Sequence, residues 1–379
     1  MNTYPKSSNM DEGQRNWPVT LTLGLTFAAA VIAVPWYGIA VGFSGWAWAF
    51  FFIFLLAGGV GIGSGYHRLW SHRTYTASRP LQWFLAVIGG MSLQNSILIW
   101  SARHRVHHRD VDDNDKDPYS IGRGFWFAHV GWMLRDYKSG VVDETIVPDL
   151  KKNPVVMWQH NHYLSLVLVT NVVLPLALGW MVGDMWGVFL LAGLARLVVN
   201  HHVTFFINSL AHMWGSQPYT DENSARDNGF LAIITYGEGY HNYHHLFQAD
   251  YRNGIKWHHF DLNKWFIASC AAMGLASDLK RTPEFKIERA RLDMEFKRAR
   301  QRLEAHESNP KWKDLVETLE HEYEQFLATV KEWQALQVER MQHGKQVLAE
   351  KLDASFHELE DALRMQRKRL TLLTAQLAV

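Results

Sequence analysis

A single cysteine, Cys270, in 379 residues excludes an internal disulfide and any thiolate-held metal cluster. Charge of one sign is also missing: 38 basic residues face 37 acidic ones, so the chain lacks the basic surplus that a nucleic-acid partner needs. No flavin or nicotinamide fingerprint occurs, and neither does a His-Pro-Gly-Gly haem motif. Any redox chemistry must therefore draw its electrons from a separate protein. Met1–Asn16 is polar, carries both charge signs and has no signal-peptide pattern. What the chain has instead is 20 histidines, 17 tryptophans and long apolar runs.

Four of those runs have membrane-spanning length: about 17–41, 45–65, 163–182 and 186–210. The two short links, Gly42–Ser44 and Gly183–Met185, hold no lysine or arginine. The long segment between the pairs holds many, among them Arg68, Arg73, Arg79, Arg103 and Arg105. The positive-inside rule puts that segment and both termini in the cytoplasm. The fourth run continues to His212, about 40 Å of helix against a hydrocarbon core of about 30 Å. Its end is expected to project with Asn208 and His212, and the second run is expected to deliver His67. Leu81–Trp100 is also apolar, but a fifth span would separate the histidines across the membrane. It reads as one interfacial or half-buried helix.

From about Glu284 the composition changes to dense charge with apolar residues at 3–4 spacing. Trp312, Val316, Leu319, Tyr323, Phe326, Val330 and Trp333 form one stripe. Leu352, Phe356, Leu359, Leu363, Leu370, Leu373 and Leu377 form another. Breaks are expected at Asn309-Pro310 and near Gly344. The tail reads as a helical hairpin or coiled coil, with self-association through it a further expectation. The whole is an all-α integral membrane protein: a segment 1–16, a membrane domain 17–283 with a cytoplasmic helical cap, and a tail 284–379.

Eight histidines fall in three clusters: His67 and His72; His104, His107 and His108; His241, His244 and His245. Imidazole suits iron and zinc, and eight ligands exceed the need of one metal. The triplets at i, i+3 and i+4 share a helix face. His67 and His72, five apart, do not align on a regular helix, so a turn is expected between them. His129, His160, His162, His201, His202, His258 and His259 have no ligand spacing and read as structural or interfacial. The tail histidines 306, 321, 343 and 357 read as solvated. Asp112, Asp113, Asp115 and Asp117 read as a solvated turn.

The stretch Gly65-Tyr-His-Arg-Leu-Trp-Ser-His-Arg73 resembles the first box of the integral-membrane fatty acid desaturases, specifically the stearoyl-CoA desaturase family. So do Asp117-Pro118, Arg123–Trp132 and Gly237-Glu-Gly-Tyr-His-Asn-Tyr-His-His245. Asn208-Ser-Leu-Ala-His212 is similar to that family's additional metal-binding element. The resemblance runs from about Trp17 to Lys280. It implies a di-iron centre held by His67, His72, His104, His107, His108, His212, His241, His244 and His245, with Asn208 acting through water. It implies two iron ions as cofactor and O2 as co-substrate. The implied reaction is cis desaturation, at Δ9, of a long-chain saturated acyl-CoA. The implied electron source is a separate ferredoxin or cytochrome b-type donor with its reductase. Gln94, Trp100 and Thr204 stand where the family bends its acyl tunnel, and Arg103 where it meets a coenzyme A phosphate.

Two departures bear on the acyl carrier. Trp100-Ser-Ala-Arg-His104 lacks the aspartate the family places before its second box, and Met133–Lys138 lacks its basic pair. Acyl-lipid and acyl-carrier-protein substrates stay open beside acyl-CoA. Three rivals stand beside desaturation. A di-iron hydroxylase of lipids or alkanes would use similar boxes. A membrane zinc hydrolase would need three or four ligands and a base, for which Glu238 is the candidate. A non-catalytic scaffold built on the tail leaves the histidines unexplained.

Overall fold

The computed structural model describes residues 13–304 and 310–342, with single positions 361, 362, 365, 368, 369 and 372 beyond them. The described chain is mainly helical, and four helices are long and apolar enough to cross a membrane: Trp17–Ala40, Gly45–Ser71, Tyr163–Met181 and Met185–His212. The first begins where the Asn16 side chain accepts from the Val19 amide, with Pro18 in the first turn. None of its residues is buried. An outer surface carrying Ile32, Trp36 and Ile39 is one that lipid, not water, solvates.

Asp184 ties the two short links together. Its carboxylate accepts from the Gly187 amide at 2.9 Å, capping the fourth span, and from the Ser44 amide at 3.1 Å; the Tyr37 hydroxyl lies 3.2 Å away. Gly42 and Gly183 turn the chain at φ 85° and 75°, values open to glycine without strain.

The second and fourth spans run for 27 and 28 residues, longer than a bilayer core needs. Both overshoot at the end that carries histidines, bringing His67 and His212 to one side. The second span also changes winding. Gly61–Ser71 is π-helical, and the His72 amide bonds the His67 carbonyl at 3.1 Å. An i→i+5 ladder stacks residues five apart. The expected turn is therefore not what aligns His67 with His72; the wider helix does it.

Leu81–Trp100 is not one helix. Arg79–Gly90 ends before a short loop, and Ile97–Arg109 begins after it. Leu93 and Asn95 in that loop have φ 50° and 74°. The polar run Ser-Leu-Gln-Asn-Ser explains the break, because such side chains satisfy backbone groups outside a helix. Ser96 caps the second piece. Both pieces pack on the π-helical segment. At Gly61 a Cβ would stand 2.3 Å from the Gly89 amide, so the approach requires glycine.

Two minimal ladders complete the domain: Gln14–Arg15 with Arg135–Asp136, and Thr76–Ala77 with Ala276–Ser277. The chain divides into two compact units: residues up to Gln217 with Glu222–Arg281, and Pro218–Asp221 with everything from Thr282 on. In the second, Glu284–Glu304 and Pro310–Gln342 are helices. Phe326, Val330 and Trp333 of the expected stripe are buried with Ile287, Leu292 and Met294. The side chains of Trp312, Val316 and Leu319 lie outside the described residues. So do the break near Gly344, the stripe from Leu352 to Leu377, and histidines 306, 343 and 357. His321 is exposed.

Candidate metal centre

Helix Ile97–Arg109 carries His104, His107 and His108, and helix His241–Leu246 carries His241, His244 and His245. With His67, His72 and His212 the fold draws nine histidines into two adjoining groups. One holds His67, His72, His104, His108 and His244; the other holds His107, His212, His241 and His245. Each helix divides its triplet between the groups, so one helix face serves two sites. The ligand atoms of each group lie within 4.8 Å of one another.

The inward atoms are Nε2. Nε2–Nε2 separations are 2.9 Å for His67–His244, 2.8 Å for His72–His104 and 3.0 Å for His108–His244. In the second group they are 3.1 Å for His212–His241 and for His241–His245. Two metal–nitrogen bonds of about 2.1 Å at right angles would set their nitrogens ~3.0 Å apart.

The outward nitrogens decide which species faces inward. His67 Nδ1 lies 3.0 Å from Glu238 Oε2, and His107 Nδ1 lies 2.9 Å from Asp117 Oδ1. His212 Nδ1 lies 2.7 Å from Ser224 Oγ, and His104 Nδ1 lies 3.3 Å from the Tyr119 hydroxyl. A carboxylate can only accept, so it fixes the proton on Nδ1 and leaves a lone pair on Nε2. Where both rings of a pair carry their proton outward, lone pairs at such distances repel unless a cation lies between them. Burial, reinforced by the neighbouring imidazoles, holds His104, His108 and His244 well below the ordinary histidine range. They are neutral ligands, and the donor set fits two first-row metal ions.

The acidic run is not a solvated turn throughout. Asp117 is fully buried against His107. Asp112, at φ 67°, binds the Ser224 amide at 2.7 Å and the Ser224 hydroxyl, which in turn meets His212. Asp113 pairs with Lys116 at the surface. The local spacing of these aspartates carries no signal of this; Ser224 is 112 residues away from Asp112.

Glu238 is committed away from the metal groups. Its oxygens meet His67 Nδ1, Arg68 Nη2 at 2.9 Å, Asn253 Nδ2 at 2.6 Å and Asn263 Nδ2 at 3.2 Å. Burial alone would raise its pKa, but the contacts with His67 and Arg68 outweigh it and hold the carboxyl well below the usual range. A carboxylate so held orients a ligand and makes a poor hydrolytic base.

A channel passes the histidines. Its outer cavity is lined by Arg103, Arg135 and Lys138, its inner one by Gly58, Ile62 and Val203. The two share Gln94, Trp100, Thr204 and Asn208, which form a waist. Gln94 Nε2 donates to Thr204 Oγ1 at 2.9 Å across it. The Trp100 ring stacks on His104 with centroids 4.8 Å apart. Arg103 donates to the Gly140 carbonyl and lies over the Trp132 ring.

The remaining histidines sit elsewhere. His129 bridges Ser209 and His202, each at 3.0 Å, and His201 meets the Ser92 carbonyl at 2.9 Å. His160 meets Ser96, His162 its own helix, and His259 stacks on Tyr240 beside His258.

The family model described as fatty acid desaturase matches residues 46–277. The Schizosaccharomyces pombe protein named "Probable acyl-CoA desaturase" is 47% identical over 227 residues, which cover 60% of this chain and 47% of that protein. Acyl-CoA desaturase 1 of Saccharomyces cerevisiae is 43% identical over 236 residues, covering 62% and 46%. Stearoyl-CoA desaturase 5 of Bos taurus is 39% identical over 230 residues, covering 59% and 68%. The chain spans about half the length of the two fungal relatives and about two thirds of the bovine one. The matched region holds all nine histidines and the whole channel waist, and this chain belongs to the fatty acid desaturase family.

Proposed function

We propose that this chain is a membrane acyl-CoA desaturase that inserts a cis double bond at Δ9 of a long-chain saturated acyl group. The observation that carries this reading is the convergence of nine imidazoles, in groups of five and four, with His67, His104, His107 and His241 lining the inner part of a channel open at a cationic mouth. Two irons, when bound there, supply with O2 the oxidising power to break unactivated C–H bonds, which side chains lack. Two C–H bonds break and one C=C bond forms. Dioxygen takes up those two hydrogens with two electrons and two further protons, leaving two waters.

The protein's part is placement. The nine histidines hold the metals, Asn208 acts through water, and the Glu238, Asp117 and Ser224–Asp112 contacts aim the rings. The Gln94–Thr204 bond and the Trp100 face narrow the channel, so that only one pair of methylenes lies beside the metals. Arg103, Arg135 and Lys138 at the mouth suit the phosphates of a coenzyme A headgroup. Beyond the waist the inner lining extends nine positions along the second span, from His67 to Gly58, and eight along the fourth, from Asn208 to Asn200. That is about 12 Å of helix. An extended chain advances roughly 1.2 Å per bond, so about ten carbons fit past the site. A Δ9 cut in an eighteen-carbon chain asks for nearly that length.

The arginine-rich segment supports a cytoplasmic side for the histidines and both termini. Electrons come from a separate ferredoxin or cytochrome b-type donor with its reductase. Residues 17–283 form the catalytic domain and 284–379 a tail for self-association or docking.

The test is the fatty-acid profile of a host lacking its own Δ9 desaturase, read by mass spectrometry with double-bond localisation. A new cis-Δ9 monoene, lost in His108→Ala and His244→Ala, is the expected outcome. An alcohol would move the chain to the hydroxylases. A monoene found only on intact lipids, with acyl-CoA unused, would replace the carrier.

A further inference from the structure

We propose that Tyr236 and Asn200, joined across Gly58 and Gly59, form the floor of the inner channel and set the longest acyl chain this protein accepts. The inference rests on the acyl-channel reading above.

The inner walls are apolar, with Ile62, Val203 and Ile207 facing the cavity, but its far end is polar. The Tyr236 hydroxyl lies 3.0 Å from Asn200 Oδ1 and 3.3 Å from the Leu55 carbonyl. Asn200 Nδ2 lies 3.4 Å from that same carbonyl. Ser92 Oγ lies 3.4 Å from the Gly58 carbonyl. Polar groups at membrane depth are costly unless paired. These pair among themselves, which makes the end a plug and not a receptor for a polar tail.

The plug lies flush against the second span. A Cβ on Gly58 would stand 2.4 Å from Asn200 Nδ2, and one on Gly59 would stand 2.3 Å from the Tyr236 ring. The side chains occupy the space that the two glycines leave. Tyr236 is also fixed from behind. Its backbone has φ 58°, a left-handed value uncommon for an aromatic residue, and its carbonyl accepts from Asn263 Nδ2 at 3.1 Å. Asn263 also meets Glu238, the carboxylate that orients His67. Floor and metal groups are therefore pinned through one residue, and the depth between them is constant. A chain longer than that depth must displace the Tyr236 ring.

The experiment compares wild type, Tyr236→Ala and Tyr236→Phe in two readouts. One is the monoene profile of the desaturase-deficient host supplied with saturated acids of increasing length. The other is competitive binding of acyl-CoAs of those lengths to the purified full chain. Tyr236→Ala is expected to raise the ratio of products longer than the wild-type limit by ten-fold or more, with the double bond at its original position. Binding should show the same shift. Tyr236→Phe keeps the ring and should keep the limit. An active Tyr236→Ala with the wild-type limit in both readouts overturns the proposal. If Tyr236→Ala does not fold, Val203→Phe decides: it adds bulk above the floor and should shift the limit to shorter chains, and an unchanged limit overturns the proposal. A wild-type alcohol product would sink the desaturase reading but not this one, provided that the binding limit still moves with Tyr236. Absence of acyl-CoA binding at every length would sink both.

Discussion

Asp117 holds His107 with both carboxylate oxygens: Nδ1 lies 2.9 Å from one and 3.0 Å from the other, and both residues are buried. The same carboxylate accepts from the Asp112 and Tyr119 amides, each at 3.1 Å. One aspartate thus orients a ligand ring and anchors the loop that carries Asp112 toward Ser224 and His212.

Asp117→Asn should therefore weaken the four-histidine group more than the five-histidine group. The amide keeps one acceptor but loses the charge that favours the Nδ1 proton. Outer partners of this kind are worth about 10–100-fold in metal affinity or activity. Iron content with Mössbauer spectroscopy of the purified protein checks it. Equal loss from both groups, or none, would contradict the assignment.

Arg68 is the second buried pivot. Its guanidinium lies 2.9 Å from both Glu238 and Asp261, and it donates to the Tyr251 carbonyl at 2.8 Å. Arg68→Met leaves two buried carboxylates without their cation, a change that costs about 3–5 kcal/mol in buried pairs. The thermal midpoint in detergent should fall clearly, and adding Asp261→Asn should recover part of it by removing one orphaned charge. A double variant no better than the single one would show that the pair is not the cause.

The helical class, the four spans and the overshoot that delivers His67 and His212 are legible in apolar runs and their lengths. The nine histidines singled out by spacing and motif are the ones the fold draws together. The π winding of Gly61–Ser71 is not legible, because an i→i+5 ladder has no residue signature of its own. Nor is the division of each triplet between two groups, since i, i+3 and i+4 on one face look alike whether they serve one site or two. The outer partners escape for a different reason. Glu238 reaches His67 across 171 positions and Ser224 reaches His212 through a loop, so only the folded chain pairs them.

Asp227, whose carboxylate accepts from the Tyr243 amide, gives a pH-dependent test of stability. Burial pushes its carboxyl up to about 7, against the smaller opposing effect of the Tyr243 and Asn242 amides. A raised acid binds more protons folded than unfolded between about 3.9 and its folded value. Stability is therefore lost as pH rises through that window, and above pH 7 the folded state carries a buried charge. Asp227→Asn keeps an acceptor for the Tyr243 amide, 3.1 Å away in the wild type, without that charge. Its thermal midpoint should exceed the wild type at pH 8, with the gain shrinking toward pH 5. A gain independent of pH would assign the effect to something other than this proton.

Gln94 should govern where the double bond falls. It sits between Leu93 and Asn95, both in left-handed backbone, and the Asn95 amide donates to the Tyr163 hydroxyl at 2.9 Å. Its side chain therefore starts from a fixed point and crosses the waist to Thr204, whose hydroxyl donates to the Asn200 carbonyl at 3.1 Å. Gln94→Ala removes that crossing and widens the waist while the histidines and the inner end stay in place. Misplacing a reacting group by about 1 Å can cost ~100-fold in rate, so the rate at the original methylene pair should drop and neighbouring pairs should begin to react. Double-bond localisation should then show products spread over adjacent positions, with the chain-length limit unchanged. A single undisturbed position would remove Gln94 from the waist, and a shifted chain-length limit would mean that the waist and the floor are not separate devices.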